Sequence, residues 1–307
     1  MNALSRALEP LRASQRVQSA RAAGPPAARR RVRMVVRSLR RNLLGALGGT
    51  IVLALVLVAV AASWVSPFDP NAQVGTRLAA PGPPYLLGLD QYGRDILSRL
   101  IYGARTSLVI SASSVGLALL IGGSIGLLAG YYRGWLDVAA MRLMDVLFTL
   151  PSIILAIALA GLLGATLQNV ILAIAVVNAP TLARVARAPT LVMREAEFVL
   201  GARASGAGDL RILARHVLPN VLAPIIVQAT VSVANAIIIE ASLGFLGLGV
   251  PPPDVSWGNM LGTGRQFLEL ANGLTIFPGM AIMAMVLGFN FAGDGLRDIL
   301  DPRLRTL

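Results

Sequence analysis

Six apolar stretches, each long enough to cross a lipid bilayer, constrain this chain more than any other feature. A spanning helix needs about 20 largely apolar residues. No charge lies between Asn42 and Asp69, and Leu43 to Ala62 makes a first span. A second falls near Leu108 to Ala129, between Arg105 and Arg133. From Val146 to Ala183 the chain is uncharged for 38 residues, which predicts two spans near 144–163 and 169–186 divided by the polar break GATLQN, Gly164–Asn169. The fifth runs from about Val221 to Leu243 and the sixth from about Thr275 to Ala292. The expected fold class is all-α integral membrane, with six transmembrane helices.

Composition narrows the chemistry. The charged fraction is 14%, against about 25% in an ordinary soluble domain. There is no Cys, which excludes disulfides and thiolate metal sites. There is no Lys either, since all 27 basic residues are Arg, so neither a Walker A loop nor a Schiff-base lysine can form. His216 is the single histidine, which excludes multi-histidine metal sites. The chain offers no nucleotide or metal site of its own.

Arginine placement orients the spans. Cytoplasmic loops carry the Lys/Arg excess. Eleven arginines precede Asn42, two lie at 133 and 142, six between 184 and 215 and three between 297 and 305. That places 22 on one side against five (77, 94, 99, 105 and 265) on the other. With an even number of spans, both termini are expected in the cytoplasm.

Five regions are expected: an Arg-rich cytoplasmic tail at 1–42, a first transmembrane helix at 43–65, an extracytoplasmic segment at 66–105, a five-helix core at 106–292 and a cytoplasmic tail at 293–307. The first of these reads as a disordered tail drawn to anionic lipid headgroups. Nucleic-acid binding by its charge has no aromatic support and is not expected. The AVA tripeptide at Ala59–Ala61 resembles a signal cleavage site, but the apolar run exceeds a 7–15-residue signal core, which makes it an uncleaved anchor.

One polar island, GARASGAGDLRILARHVLPN at Gly201–Asn220, separates the fourth and fifth spans. It reads as helix–turn–helix. Phe198, Ala202 and Ser205 recur at helical spacing, and Gly206 and Gly208 break the pattern where a turn needs positive φ. Asp209 is placed to cap LRILARHV, and Pro219 to end that piece before the fifth span. From these residues alone, a lipid-surface loop and a partner-docking element both remain open.

The spacing of Gly206, nine residues, His216, one residue, then Leu218-Pro219 resembles the EAA loop in permeases of bacterial ABC importers. Arg215–Asn220 reads R-H-x-L-P-N, as in the peptide-importing branch. Leu87–Leu108 (LGLDQYGRDILSRLIYGARTSL), Glu240–Leu261 (EASLGFLGLGVPPPDVSWGNML) and Gly293–Arg305 (GDGLRDILDPRLR) resemble the same branch. The resemblance covers about residue 35 to the C-terminus and is to the C-type permease subunit of dipeptide/oligopeptide or nickel importers.

That resemblance implies a type I ABC importer permease fold, half of a pore for di- or oligopeptides, nickel chelates or glutathione. The implied partners are a second homologous permease subunit, one or two ATP-binding-cassette subunits that use ATP and Mg, an external substrate-binding protein and the lipid bilayer. It makes the loop at 187–219 the ATPase-coupling element, with Ala202, Gly206, His216 and Pro219 as matching positions and Arg203 and Asp209 in the same segment. The chain departs from the motif at Leu200-Gly201-Ala202, where the family loop often has Glu-Ala-Ala. The acidic contact does not carry over; Glu197 is the nearest substitute.

Elsewhere, Glu240 is expected either on the translocation path or hydrogen-bonded at a subunit contact near Asn235, because a charge in lipid is costly unless it faces protein or water. Asp145 lies within reach of Arg142 or interfacial water. Trp257 is either an interfacial anchor or a contact for the external binding protein. Pro151, Pro180 and Pro278 predict kinks. A self-contained secondary transporter is the competing class, but it would show internal repeats, and none is clear. A membrane-embedded enzyme would need a close carboxylate pair, and the spans contain none.

Overall fold

The computed structural model describes residues 43–300, and the expected tails at 1–42 and 301–307 lie outside the described residues. The elements are α1 Leu43–Val60, α2 Ala62–Val65, α3 Ile96–Ala118, α4 Ser124–Tyr132, α5 Gly134–Phe148, α6 Ser152–Leu163, α7 Leu167–Met193, α8 Glu197–Ala204, α9 Asp209–Ile212, α10 Leu218–Phe245, α11 Trp257–Gly264 and α12 Gly273–Leu300. One-turn π segments, Leu119–Gly123 and Leu213–Val217, join α3 to α4 and α9 to α10. Two rods therefore run from Ile96 to Tyr132 and from Asp209 to Phe245, 37 residues each. At 1.5 Å per residue each is about 55 Å long, against about 30 Å of hydrocarbon, so both project beyond the membrane.

Six spans are present only if one of them is broken. Among the described residues five helices are long and apolar enough to cross, and α5 with α6 makes a sixth if the pair, bent by 90°, counts as one span. The expected continuous span at 144–163 is thus two half-length helices. Pro151 has no N–H with which to continue α5; it stands at the N-cap of α6, and its carbonyl accepts from Leu155 N at 3.0 Å. Asp145, at the end of α5, pairs with Arg184 of α7 at 2.6 Å rather than with Arg142. The break expected at Gly164–Asn169 falls between α6 and α7, where Gly164 has φ +85° and Thr166 caps α7 through Asn169 N. The C-terminal segment expected to be a tail from residue 293 continues α12 to Leu300.

The segment before α3 is clamped rather than loose. Asp90 accepts from the backbone of Tyr92 and Arg94 and from Arg94 Nε at 2.7 Å. Gly93 takes φ +76°, and a Cβ there would stand 2.3 Å from the Gly75 carbonyl oxygen. Asp95 caps α3 through Ser98 N and Oγ, and Arg99 donates to the Pro70 carbonyl at 2.9 Å. The DQYGRDILSR stretch is therefore a turn, a cap and a strap in succession. It ends the irregular segment at Asp95, and helix begins at Ile96, within the stretch expected to be extracytoplasmic.

At the centre lies α7, against α3, α4, α5, α6 and α10. Ile110, Ile174, Leu182, Ile239 and Leu243 fill the space where these helices meet. A second cluster around Ile237, Trp257, Met260 and Met285 joins α10, α11 and α12. Lipid is as apolar as leucine, so helices in a bilayer are held by close packing and polar contacts rather than by escape from water. Gly122, Gly126 and Gly130 form a stripe on one face of α4 and its π turn; Cβ atoms there would stand 2.2, 2.0 and 2.9 Å from the carbonyl oxygens of Ala179, Ala183 and Arg187. Gly48 makes an equivalent approach from α1 to Ala292 of α12.

This contact predicts that Gly126→Ala is strongly destabilising, because the added methyl meets a backbone oxygen that cannot rotate away. Overpacking of this kind costs about 1–3 kcal/mol. A fall of several degrees in Tm, or loss of monodisperse protein in mild detergent, is the expected outcome. Gly161→Ala on α6, where the Cβ position is open, should leave Tm unchanged within about a degree.

Candidate functional site

The polar island folds as two short helices about a tight turn. Gly206, at φ +82°, ends α8: its N–H donates to the Arg203 carbonyl at 3.0 Å, and Ala207 N donates to the Ala202 carbonyl at 3.1 Å. This paired pattern is the glycine-terminated helix end, in which the residue after the helix must take a left-handed conformation. No atom lies within 4 Å of a Cβ at Gly206, so the constraint is conformational rather than steric.

Two expectations need correction. Asp209 does not cap α9; Gly208 occupies the cap position and makes no side-chain bond. The Asp209 carboxylate instead sits in the first turn, where the helix dipole favours it, and accepts from the Tyr131 hydroxyl at 2.7 Å. Pro219 does not end α9. The π turn carries the rod through Leu213–Val217, and Pro219 falls in the first turn of α10, where its missing N–H costs little. His216 lies in that π turn, with its ring 6.5 Å from Phe198 of α8 across the turn, and its carbonyl accepts from Asn220.

The inner side of the turn is apolar and tightly held. Val199 of α8, with Ile212, Leu213 and Val217, packs on Tyr131, Ala186, Val221 and Ile225, and Ala202 closes the edge. Its outer side presents Phe198, Leu200 and Leu210, the last 80% exposed. Leu200, where the family motif often has an acid, lies on that outer side.

Around Tyr131 the structure gathers polar groups that spacing along the chain does not reveal. Its hydroxyl donates to Asp209 and accepts from Arg203 Nη2 at 3.0 Å, while its backbone carbonyl accepts from Arg194. Arg133 pairs with Glu195 at 3.0 Å, and Arg194 with Glu195 at 3.2 Å. Tyr131 is separated from Asp209 by 78 positions, so no local pattern links them.

Three further expected positions scatter. Asn235 lies on the exposed side of α10 and donates to Asn178 Oδ1 of α7 at 3.4 Å. Glu240 lies on the opposite side and is fully buried within this chain. Its Oε2 accepts from Ser107 Oγ at 3.0 Å, and Oε1 has no partner. Glu240 therefore joins α10 to α3 from inside, and neither faces an opening nor meets Asn235. Trp257 is 1% exposed. Its indole lies where a Gly103 side chain would be and donates to the Leu100 carbonyl at 2.9 Å, so it is a core residue rather than a surface anchor or contact.

Comparison with known proteins identifies the family. Residues 122–306 match the family described as binding-protein-dependent transport system inner membrane component, and residues 31–81 match the N-terminal TM domain of oligopeptide transport permease C. A dipeptide transport system permease protein of Alkalihalophilus pseudofirmus is 43% identical over 275 residues, covering 89% of this chain and 90% of the relative. A di/tripeptide transport system permease protein of Pseudomonas aeruginosa is 46% identical over 270 residues, covering 85% and 89%. A glutathione transport system permease protein of Pectobacterium atrosepticum is 43% identical over 260 residues, covering 84% and 86%. Among solved structures, an inward-facing MetNI methionine ABC transporter chain shares the fold, with a TM-score of 0.56 at 20% identity over 67% of this chain and 98% of that one. With two family profiles matched along its length and relatives of this identity, the chain belongs to the binding-protein-dependent transport system inner membrane component family, as an ABC transporter permease of the bacterial inner membrane.

Proposed function

We propose that this chain is one half of the translocation pore of an ATP-driven importer and passes di- or oligopeptides handed over by an external binding protein. The observation that carries the reading is the helix–turn–helix between α7 and α10. It lies at one end of both long rods, is fastened on its inner side and carries an uncovered apolar outer side. Exposed apolar surface of this kind marks a docking face. A separate ATPase subunit is the partner proposed for it, and hydrolysis of ATP with Mg is assigned to that subunit because this lysine-free chain cannot build a Walker A loop.

The exposed side of α10 supports the half-pore. Gln228, Asn235 and Ser242 recur every seven residues, and none of the three is buried. Seven residues bring a helix back to nearly the same face, so they form a polar stripe along one side of the span. Polar side chains at membrane depth face protein or water. A second permease subunit, packed face to face, would enclose such a stripe. The substrate class rests on the dipeptide and di/tripeptide permeases among the relatives. Glutathione is itself a tripeptide and falls within the same chemistry.

The orientation follows from the arginines, with the turn and both termini in the cytoplasm. Single cysteines at Gln73 and Asp254, both exposed, should react with an impermeant thiol reagent in intact cells, whereas a cysteine at Ser205 should not. Labelling of Ser205→Cys from outside would invert the arrangement.

The turn itself gives the test of function. Forcing a β-branched residue to positive φ costs about 1–3 kcal/mol, enough to reshape the turn. In vesicles holding the complex with its ATPases and binding protein, Gly206→Val should insert normally yet lose uptake of a labelled dipeptide. ATP hydrolysis should fall or cease to respond to substrate. Gly206→Asn, which tolerates left-handed geometry, should retain more uptake than the valine variant. Wild-type uptake in Gly206→Val would make the turn a mere connector.

A further inference from the structure

Hydrogen bonds from both helices of the turn converge on one side chain. Tyr131 lies in the last turn of α4 and is 2% exposed. Its hydroxyl bonds Arg203, on α8 before Gly206, and Asp209, on α9 after it, so one oxygen grips the turn from both sides of its glycine. Its carbonyl is held by Arg194 just beyond α7. The adjacent Arg133, at the reversal into α5, pairs with Glu195 in the same stretch. No other residue touches the ends of α4, α7, α8 and α9 at once through hydrogen bonds among those described.

We propose that Tyr131 is a positioning residue, a pin that makes the turn and the inner ends of α4 and α7 move as one body, so that displacement of the turn reaches the spans. This rests on the reading of the turn as the ATPase-docking element. Three observations carry it. The contacts under the turn, Val199, Ile212, Leu213 and Val217, are apolar and non-directional, so they resist separation more than sliding. The hydroxyl bonds to Arg203 and Asp209 are charge-assisted and directional, and they fix the register. The pin is then continuous with a stiff pair, because Gly126 and Gly130 hold α4 backbone against α7 at Ala183 and Arg187.

The place where that body would bend is also marked. The π turn Leu119–Gly123 interrupts the α3–α4 rod, and Gly122 within it lies against Ala179, next to Pro180 in α7. A π turn shifts the hydrogen-bond ladder and a proline removes one rung. Both helices are therefore weakened at the same depth, above the pinned segment. α7 loses a second rung at Pro189, but there Gly130 of α4 packs on both Arg187 and Thr190 and braces it.

Because Arg203 and Asp209 are exposed, water replaces their bonds when the hydroxyl is lost. Tyr131→Phe should accordingly fold, insert and bind its ATPases, with Tm nearly unchanged. Uptake of labelled alanylalanine per ATP hydrolysed, measured in vesicles with the full complex, should fall by about fivefold or more, the lower end of usual coupling between sites. Asp209→Ala removes the same bond from the exposed side and should lower the ratio likewise. Asp209→Asn keeps an acceptor oxygen and should preserve it. Adding Asp209→Ala to Tyr131→Phe should cost little more, since the Tyr131–Asp209 bond is already lost in Tyr131→Phe.

A wild-type ratio in Tyr131→Phe overturns the pin. If that variant does not assemble, a wild-type ratio in Asp209→Ala overturns it instead. A purely structural tyrosine would lower the amount of complex and leave the ratio intact, which also counts against the proposal. Failure of the underlying reading looks different: Gly206→Val would then transport normally. Loss of coupling in Gly206→Val with none in Tyr131→Phe removes the pin alone.

Discussion

Backbone-to-backbone contact between α4 and α7 is the constraint on which the rest of the architecture depends. In lipid, side chains gain little by touching one another instead of acyl chains, and stability comes from how closely helices approach. Gly122, Gly126 and Gly130 remove the side chains from one face, and three carbonyls of α7 fill the vacated space. With α4 fixed on α7, the short broken pair α5–α6 has a surface to lie on, and Arg187–Asp137 and Arg184–Asp145 tie α5 down at 2.5 and 2.6 Å. The same device recurs between α10 and α11, where Gly244 meets Gly258 and Asn259.

Most buried polar groups among the spans are paired within the chain, Glu240 Oε1 excepted. Ser111 and Ser114 return their hydroxyls to carbonyls one turn back, Asn178 does the same and receives Asn235, and Glu240 is held by Ser107. Unpaired polar groups in hydrocarbon cost several kcal/mol each. Gln228, Asn235 and Ser242 remain as a polar stripe of α10 that the single chain does not bury. Burying Glu240 and exposing Asn235 on opposite sides gives one helix two jobs, joining α3 and α11 inside and presenting a hydrophilic track outside.

At the projecting end, apolar packing and directional bonds divide their roles. Val199, Ile212 and Val217 attach the turn to the spans, while Tyr131 sets its register. Gly206 makes the reversal possible, and the uncovered Leu200 and Leu210 supply the face proposed for a partner. A docking element of this form works only if it is stiff toward the membrane and open away from it, and its two sides meet those demands with different residue types.

The apolar runs, the polar breaks and the glycine at position 206 were legible in the linear order of residues. Span length, charge asymmetry and the need for positive φ at a tight turn are local or additive properties, readable without neighbours. What needed the tertiary structure is everything that depends on which faces meet. Asp209 has the composition of a cap, yet a tyrosine 78 positions away takes its carboxylate, and a glycine is left to start the helix. Pro219 reads as a stop, but a π turn just before it absorbs the missing donor and the rod continues. Trp257 and Glu240 look like surface or pore residues until α3 supplies Gly103 as a socket for one and Ser107 as a donor for the other. Hydropathy along a chain shows which stretches are apolar enough to cross. Which side of each is buried is decided by contacts between residues far apart in sequence, because in a bilayer close approach and hydrogen bonding, rather than polarity alone, determine what packs on what.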